Sequence, residues 1–370
     1  MFNLKKLIID VFNPQPDETI CIVTDIPHDD IQDNDTWKER REVMVPEWHN
    51  EFETLVKDIA FKVLPIVYYK ATGANSAPFP KMCKVDGEEH DLEKFIQTST
   101  LVIVMSQFSA TGPICMLSQL EDSDFRFASM PGVTRSMEKG GLSADYGKVQ
   151  KRCKTIADLC SGASLVDIEF STGHRCFFDV RDRKIGIDDG YCHLDKRDPG
   201  NKGFKGINLP SGEVFWAPRE GTVLPGELSH TTGIIPVADY GEIVEFHVQN
   251  NTIDKVLKYR GFGTPKEKYD EIFDADFMRR NIAEVAFGVN DRSGGDGPVL
   301  DAEKAGFHFA YGMNQHLGGL IGPDKFKSKE TVVHTDIVYP PNAHVHVKKA
   351  IVHFDKKAHV TIIEDGEYLY

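Results

Sequence analysis

Between residues 19 and 132 the chain alternates apolar runs with helical stretches, and few folds accommodate that order. TICIVTD (19–25), LPIVYYKAT (64–72), TLVIVMSQF (100–108) and RFASMPG (126–132) are nearly continuous in apolar residues, as strands buried on both faces are. Between the first two lies WKERREVMVPEWHNEFETLVKDIAFKV (37–63), with helical spacing and a proline, Pro46, that should break or kink it. DLEKFIQTS (91–99) reads as a short helix. Strand and helix in turn predict an α/β domain with a mostly parallel sheet.

That pattern ends at YGKVQKRCKTIADLCSGAS (146–164), a long helix and the expected boundary. Beyond it, short strands are expected at 164–170, 175–180, 213–217, 242–248 and 253–260, separated by Gly, Asp, Asn and Pro, with a helix near 266–283. EIVEFHVQNNTIDKVL (242–257) reads as a hairpin turning at Asn250-Asn251. At 370 residues the chain is long for one core. The expected division is an N-terminal α/β domain, 1–150, and a C-terminal β-rich domain, 151–370, carrying a metal site: α/β plus α+β.

The net charge of −14, from 43 Lys+Arg against 57 Asp+Glu, argues against a nucleic-acid or anionic-membrane surface. The N-terminal MFNLKKLIIDVFNPQPDE has only a short apolar run, broken by Asp10, and reads as an amphipathic helix rather than a signal peptide. No apolar run approaches the length of a membrane span. The seven cysteines form no CxxC and are expected to be reduced, buried thiols of a cytoplasmic protein.

Four apolar elements of the second domain carry polar side chains. They are LPSGEVFWAP with Glu213, NIAEVAFGVN with Glu284, GFHFAYGMNQHLGG with His308, and VVHTDIVYPP with His334 and Asp336. Residues two apart on a strand share a face, so His334 and Asp336 point the same way. Singly, each is more often a surface carboxylate or a satisfied core histidine than a ligand. If they converge, three carboxylates crowd one pocket and require compensating cations. Mixed carboxylate and imidazole donors suit Zn²⁺, Mn²⁺, Co²⁺ or Fe²⁺, and a metal bond offsets the desolvation of such groups on an apolar strand.

These segments, with VFNPQPDETICIVTD and RFASMPGVTRSM near the start, resemble the aminopeptidase T family of dinuclear metalloaminopeptidases, leucyl aminopeptidase-like enzymes. The resemblance runs over most of the chain, and Ser-Gly-Glu-Val-Phe-x-Ala-Pro is its most specific motif. It implies metal residues at Glu213, Glu284, His308, His334 and Asp336, and two divalent ions, Zn, Co or Mn, with Fe as another choice. It also implies removal of N-terminal residues from short peptides or aminoacyl amides by a metal-activated water, in a homodimer. Glu284 is the implied proton carrier. The family places a tyrosine seven residues after the third-motif histidine. Here that position is Gln315, so His316 or Tyr311 is the candidate for that role. Trp216 stands where a small hydroxyl residue is commoner, and is expected to narrow a pocket beside Glu213.

The alternative is an Fe(II)-dependent ring-cleaving dioxygenase of the dihydroxypyridine type, or a related amidohydrolase. His308, His334 and Asp336 would supply a two-histidine, one-carboxylate triad. Such dioxygenases lack the first-motif glutamate and have histidine at the second-motif position, whereas Glu213 and Glu284 are present here. Three weaker candidates are read as ordinary surface or loop. They are His344 and His346, expected on one strand face with His353 and His359 beyond; the glycine-rich SGGDGP (293–298); and TDIPHDD (24–30).

Overall fold

The computed structural model describes residues 2–28, 30–198, 205–221, 228–239, 241–260, 265–294 and 298–370. It divides into two compact units. One holds Met1–Gln150, Asp188–Ser211 and Asn290–Asp301; the other holds Lys151–Ile187, Gly212–Val289 and Ala302–Tyr370. The chain passes from one to the other inside the helix Tyr146–Cys160 and re-enters the first twice.

In the first unit the apolar runs form one sheet, ordered Gly206–Asn208, Arg126–Ser129, Leu101–Val104, Thr19–Ile26, Val67–Lys70, Met82–Val85, Glu88–Asp91, with Lys62–Val63 also pairing with the central strand. Pairing is parallel except in the last two steps, a hairpin the apolar pattern does not announce. The central strands bury every residue of Leu101–Val104 and six of eight in Thr19–Ile26. Pro46 neither ends nor breaks its helix. Helix Asp35–Glu39 passes through a π turn, Arg40–Met44, into helix Val45–Leu55, with Pro46 in the first turn of that last segment. A wider turn makes room for a residue that has no N–H and whose ring crowds the preceding carbonyls.

The second unit is two antiparallel sheets packed face to face. One runs Gly186–Asp188, Glu213–Trp216, Ile282–Gly288, Phe307–Gly312, His334–Tyr339. The other runs Thr252–Arg260, Glu242–Gln249, Thr232–Asp239, Arg175–Asp179, Leu165–Phe170, Val347–His353, Val360–Glu364, Glu367–Tyr368. Aromatic rings fill the space between them: Phe307 meets Phe170 and Phe178, Phe309 meets Phe246, and Tyr339 meets Phe170. The Asn250-Asn251 turn has φ of 50° and 63°, as a two-residue hairpin turn requires. The predicted helix near 266–283 is shorter, Pro265–Ala275, because Asn281 and Ile282 already belong to the next strand's approach. All seven cysteines are free and buried. Among the described residues, no helix is long and apolar enough to cross a membrane.

Candidate metal centre

Pleating gives the five-stranded sheet two unlike faces. Phe307, Phe309 and Tyr311 alternate with His308, Ala310 and Gly312, so the aromatic set faces the second sheet and the histidine faces away. On that outward face each candidate ligand stands opposite a residue with little or no side chain. Glu213 pairs with Gly288, Glu284 and Asp336 with Ala310, His308 with Ala286, and His334 with Gly312. Large groups facing small ones leave room for carboxylates and imidazoles to lean together. A register shift between Ile282 and Glu284 also re-aims the glutamate, as β-bulges do. Gly312, at φ 106°, admits no side chain, since a Cβ there would lie 2.2 Å from the Val333 oxygen.

The structure therefore brings together all five proposed metal residues. Their ligand atoms form two overlapping groups, Glu213–Glu284–His308 and Glu284–His334–Asp336, each with its atoms within 4.8 Å of one another. Glu284 belongs to both. Its Oε1 lies 3.8 Å from His308 Nε2, and its Oε2 lies 3.2 Å from His334 Nε2. Glu213 Oε2 is 3.4 Å from His308 Nε2, and Asp336 Oδ1 is 3.6 Å from His334 Nε2. His334 Nδ1 is 2.7 Å from the Met313 carbonyl, a contact that fixes the ring and turns Nε2 to the cluster.

Electrostatics follow from the crowding. Burial alone would lower the His308 pKa, but Glu284 and Glu213 outweigh it and raise it to about 9. His334 is likewise raised against its burial, by Asp336 and Glu284. The same contacts pull Glu284 and Asp336 below the usual carboxylate range despite desolvation. Left to itself, the cluster holds protons on its imidazoles, and a cation entering it would displace them.

The donor set fits a divalent ion. With metal–ligand bonds of about 2.0–2.2 Å, donor atoms around one ion lie about 3–4 Å apart, the spacing of these side chains. Glu213 Oε2, buried at the cluster, has no hydrogen-bond partner, and an unsatisfied polar atom there is costly unless something binds.

The other candidates fall out differently. His316, on the short 3-10 turn Gln315–Leu317, comes to the edge of the cluster, its ring 4.8 Å from that of His334. Burial and His334 push its pKa down to about 3, so the ring is neutral. Tyr311 is not brought in. Three residues from His308 on a strand, it faces the opposite way and packs on Phe273 at 5.2 Å. Trp216 also turns away, buried against Phe287, so it narrows no pocket beside Glu213; Phe215 shares the Glu213 face instead. Gln315 is exposed. His344 and His346 precede the strand Val347–His353 rather than lying on it. Of SGGDGP, residues 295–297 lie outside the described residues, as does Asp29 of TDIPHDD. Asp25 is a structural anchor, accepting from the backbone N–H of Gln107 and Phe108 and from Trp37 Nε1.

Three residues of the centre escape the sequence reading. Lys304, fully buried, pairs with Glu213 Oε1 at 2.6 Å and Glu303 Oε1 at 2.9 Å. Glu303 and Lys304 sit just before the His308 strand, and charge adjoining an apolar strand was the available signal. Glu220 is buried behind the His316 loop. It accepts from Asn314 Nδ2 at 2.9 Å and from the Leu320 N–H at 2.7 Å, and it pairs with Arg183.

No protein-family model and no curated protein sequence matches the chain. The chain shares its fold with solved structures, two of which follow. The 2,5-dihydroxypyridine dioxygenase of Pseudomonas putida KT2440 aligns with TM-score 0.66 at 13% identity, covering 99% of this chain and 96% of that one. Wild-type AmpT of Thermus thermophilus aligns with TM-score 0.57 at 12% identity, covering 99% of both chains. At such identities the likeness is one of fold, and that fold is shared by AmpT and a dioxygenase.

Proposed function

We propose that the chain is a metal-dependent hydrolase that removes N-terminal residues from short peptides. The observation that carries this reading is the pair of ligand groups joined at Glu284, both on one sheet face. Glu213, Glu284, His308, His334 and Asp336 are the residues that would hold metal. A bound divalent ion supplies Lewis acidity and lowers the pKa of its water.

The chain's own groups provide the rest. The cluster is rich in carboxylate, which attracts the ammonium of a peptide N-terminus. Glu284 presents two oxygens toward different neighbours, a placement suited to taking a proton at one and returning it to a leaving amine. His316 Nδ1 has no hydrogen-bond partner, and its neutral ring can donate to a developing oxyanion.

One observation favours a second reading. Lys304 already engages Glu213, which weakens the case for a second ion and so favours a single-iron oxygenase, whose two-histidine, one-carboxylate set would draw on His308, His334 and Asp336 beside Glu284. Metal-loaded protein assayed on a panel of dipeptides and aminoacyl amides, and separately for oxygen uptake with a dihydroxypyridine, decides between them. Release of free amino acid is expected. Oxygen consumption by the iron-loaded form, without peptide cleavage, would replace the hydrolase reading.

A further inference from the structure

The end of the centre formed by Glu213 already contains a cation. Lys304 Nζ lies 2.6 Å from Glu213 Oε1 and 2.9 Å from Glu303 Oε1, and the residue has no exposed surface. The turn that carries it packs closely on the sheet. Its backbone presses on the Glu284 strand at Gly288, where a Cβ would sit 2.1 Å from the Glu303 oxygen and 2.7 Å from the Lys304 carbonyl carbon. A divalent ion on Glu213 would therefore compete with an ammonium for the same carboxylate, and the two like charges would face each other in a site shielded from water. Among the described residues, the other end has no such occupant. Glu284, His334 and Asp336 meet there, and His334 is oriented by the Met313 carbonyl.

We propose that Lys304 is the resident cation of the Glu213 end and that the centre takes one divalent ion, held by Glu284, His334 and Asp336. This rests on the metal-centre reading of the cluster but not on peptide cleavage. Charge favours it. Lys304 already offsets the charge of Glu213 at its end, whereas at the other end Glu284 and Asp336 face only imidazoles among the described residues. Lys304 thus substitutes for a second metal as the group that neutralises Glu213 and holds it in place.

The test is a calorimetric titration of the full metal-free chain with Mn²⁺, with electron paramagnetic resonance of the loaded protein. The expected result is one Mn²⁺ per chain with the spectrum of an isolated ion, and two per chain with a spin-coupled spectrum in Lys304→Met. Two ions bound to the unaltered chain, or one ion still bound by Lys304→Met, overturns the proposal. If Lys304→Met does not fold, Glu213→Gln serves. Binding of one Mn²⁺ should persist with affinity within about tenfold, the scale of an outer-shell change; a larger loss makes Glu213 a ligand and ends the proposal. One ion without peptidase activity removes the hydrolase reading and leaves this inference standing. Two ions with peptidase activity does the reverse.

Discussion

Arg126 in the first unit and Lys304 in the second are both fully buried cations facing carboxylates, yet their surroundings differ in kind. Every nitrogen of the Arg126 side chain has a partner. Nη1 and Nη2 bond the two oxygens of Glu18 at 2.5 and 3.0 Å, Nη2 also donates to the Phe12 carbonyl, and Nε donates to that of Cys192. Around Lys304, Glu213 Oε2 and His308 Nδ1 keep capacity that no neighbour uses. A buried charge whose partners are all accounted for ties segments together. One that neutralises a single end of a ligand cluster leaves the other end, on the metal-centre reading, to something that is not part of the chain.

The sharpest way to break this contrast is Glu284→Ala, which removes the member common to both ligand groups. Metal affinity should fall by more than the ~10–100-fold typical of losing an outer-shell partner, taking turnover with it. Metal titration and steady-state kinetics report both; an unchanged affinity would make the cluster a second structural ion-pair network. Arg126→Leu probes the other side. It strands Glu18 and should cost about 3–5 kcal/mol of stability in a denaturant melt, with metal affinity unchanged in the folded protein. A cost near zero would mean saturation is no sign of a structural role.

Within the second unit the contrast can be drawn more finely. His316→Ala should lower kcat by ~10²-fold, the scale of losing one oxyanion donor, while metal content and melting temperature stay as they are. Unaltered turnover would reduce His316 to a bystander at the rim. Asp276 is the saturated counterpart nearby in sequence to the Glu284 strand. It accepts from the Met278 N–H at 3.0 Å, the Lys327 N–H at 2.7 Å and Thr331 Oγ1 at 2.6 Å. Asp276→Ala should cost about 1–3 kcal/mol by leaving those donors unmet, without touching the proposed metal residues. Burial raises the Asp276 pKa, but the Thr331 hydroxyl and the two N–H donors outweigh it and hold it below 3.8. A depressed folded-state pKa stabilises above the unfolded value and ceases to do so as pH falls through the folded one. The ionisation part of the gap between wild type and variant should therefore be full at neutral pH and shrink below 3.8. A gap independent of pH would assign the cost to packing.

Much of the candidate centre is legible in the sequence. The alternation of Glu284, Ala286, Gly288 and of His308, Ala310, Gly312 along two strands already implies one face of ligands and small residues. The same alternation implies that Tyr311, three residues from His308, faces the other way. The likeness to a family, not the pleat, made Tyr311 and Trp216 candidates. The parallel sheet was legible too, because a strand buried on both sides needs apolar residues at every position, as Leu101–Val104 shows.

What the sequence determined by itself is therefore local: which segments are strands, which side chains share a face, and which donor chemistry those side chains bring. Period and composition suffice for this, because backbone geometry imposes the alternation wherever a strand forms. The tertiary structure decided which strands are neighbours. It placed Gly206–Asn208 at the edge of the first sheet, although the chain reaches it only after entering the second unit. It set Glu213 opposite Gly288 and so brought the first motif to the second. It also put Lys304, from a turn outside the sheet, onto Glu213. Strand order and register arise from contacts between distant parts of the chain, and neither hydrophobic period nor spacing encodes them.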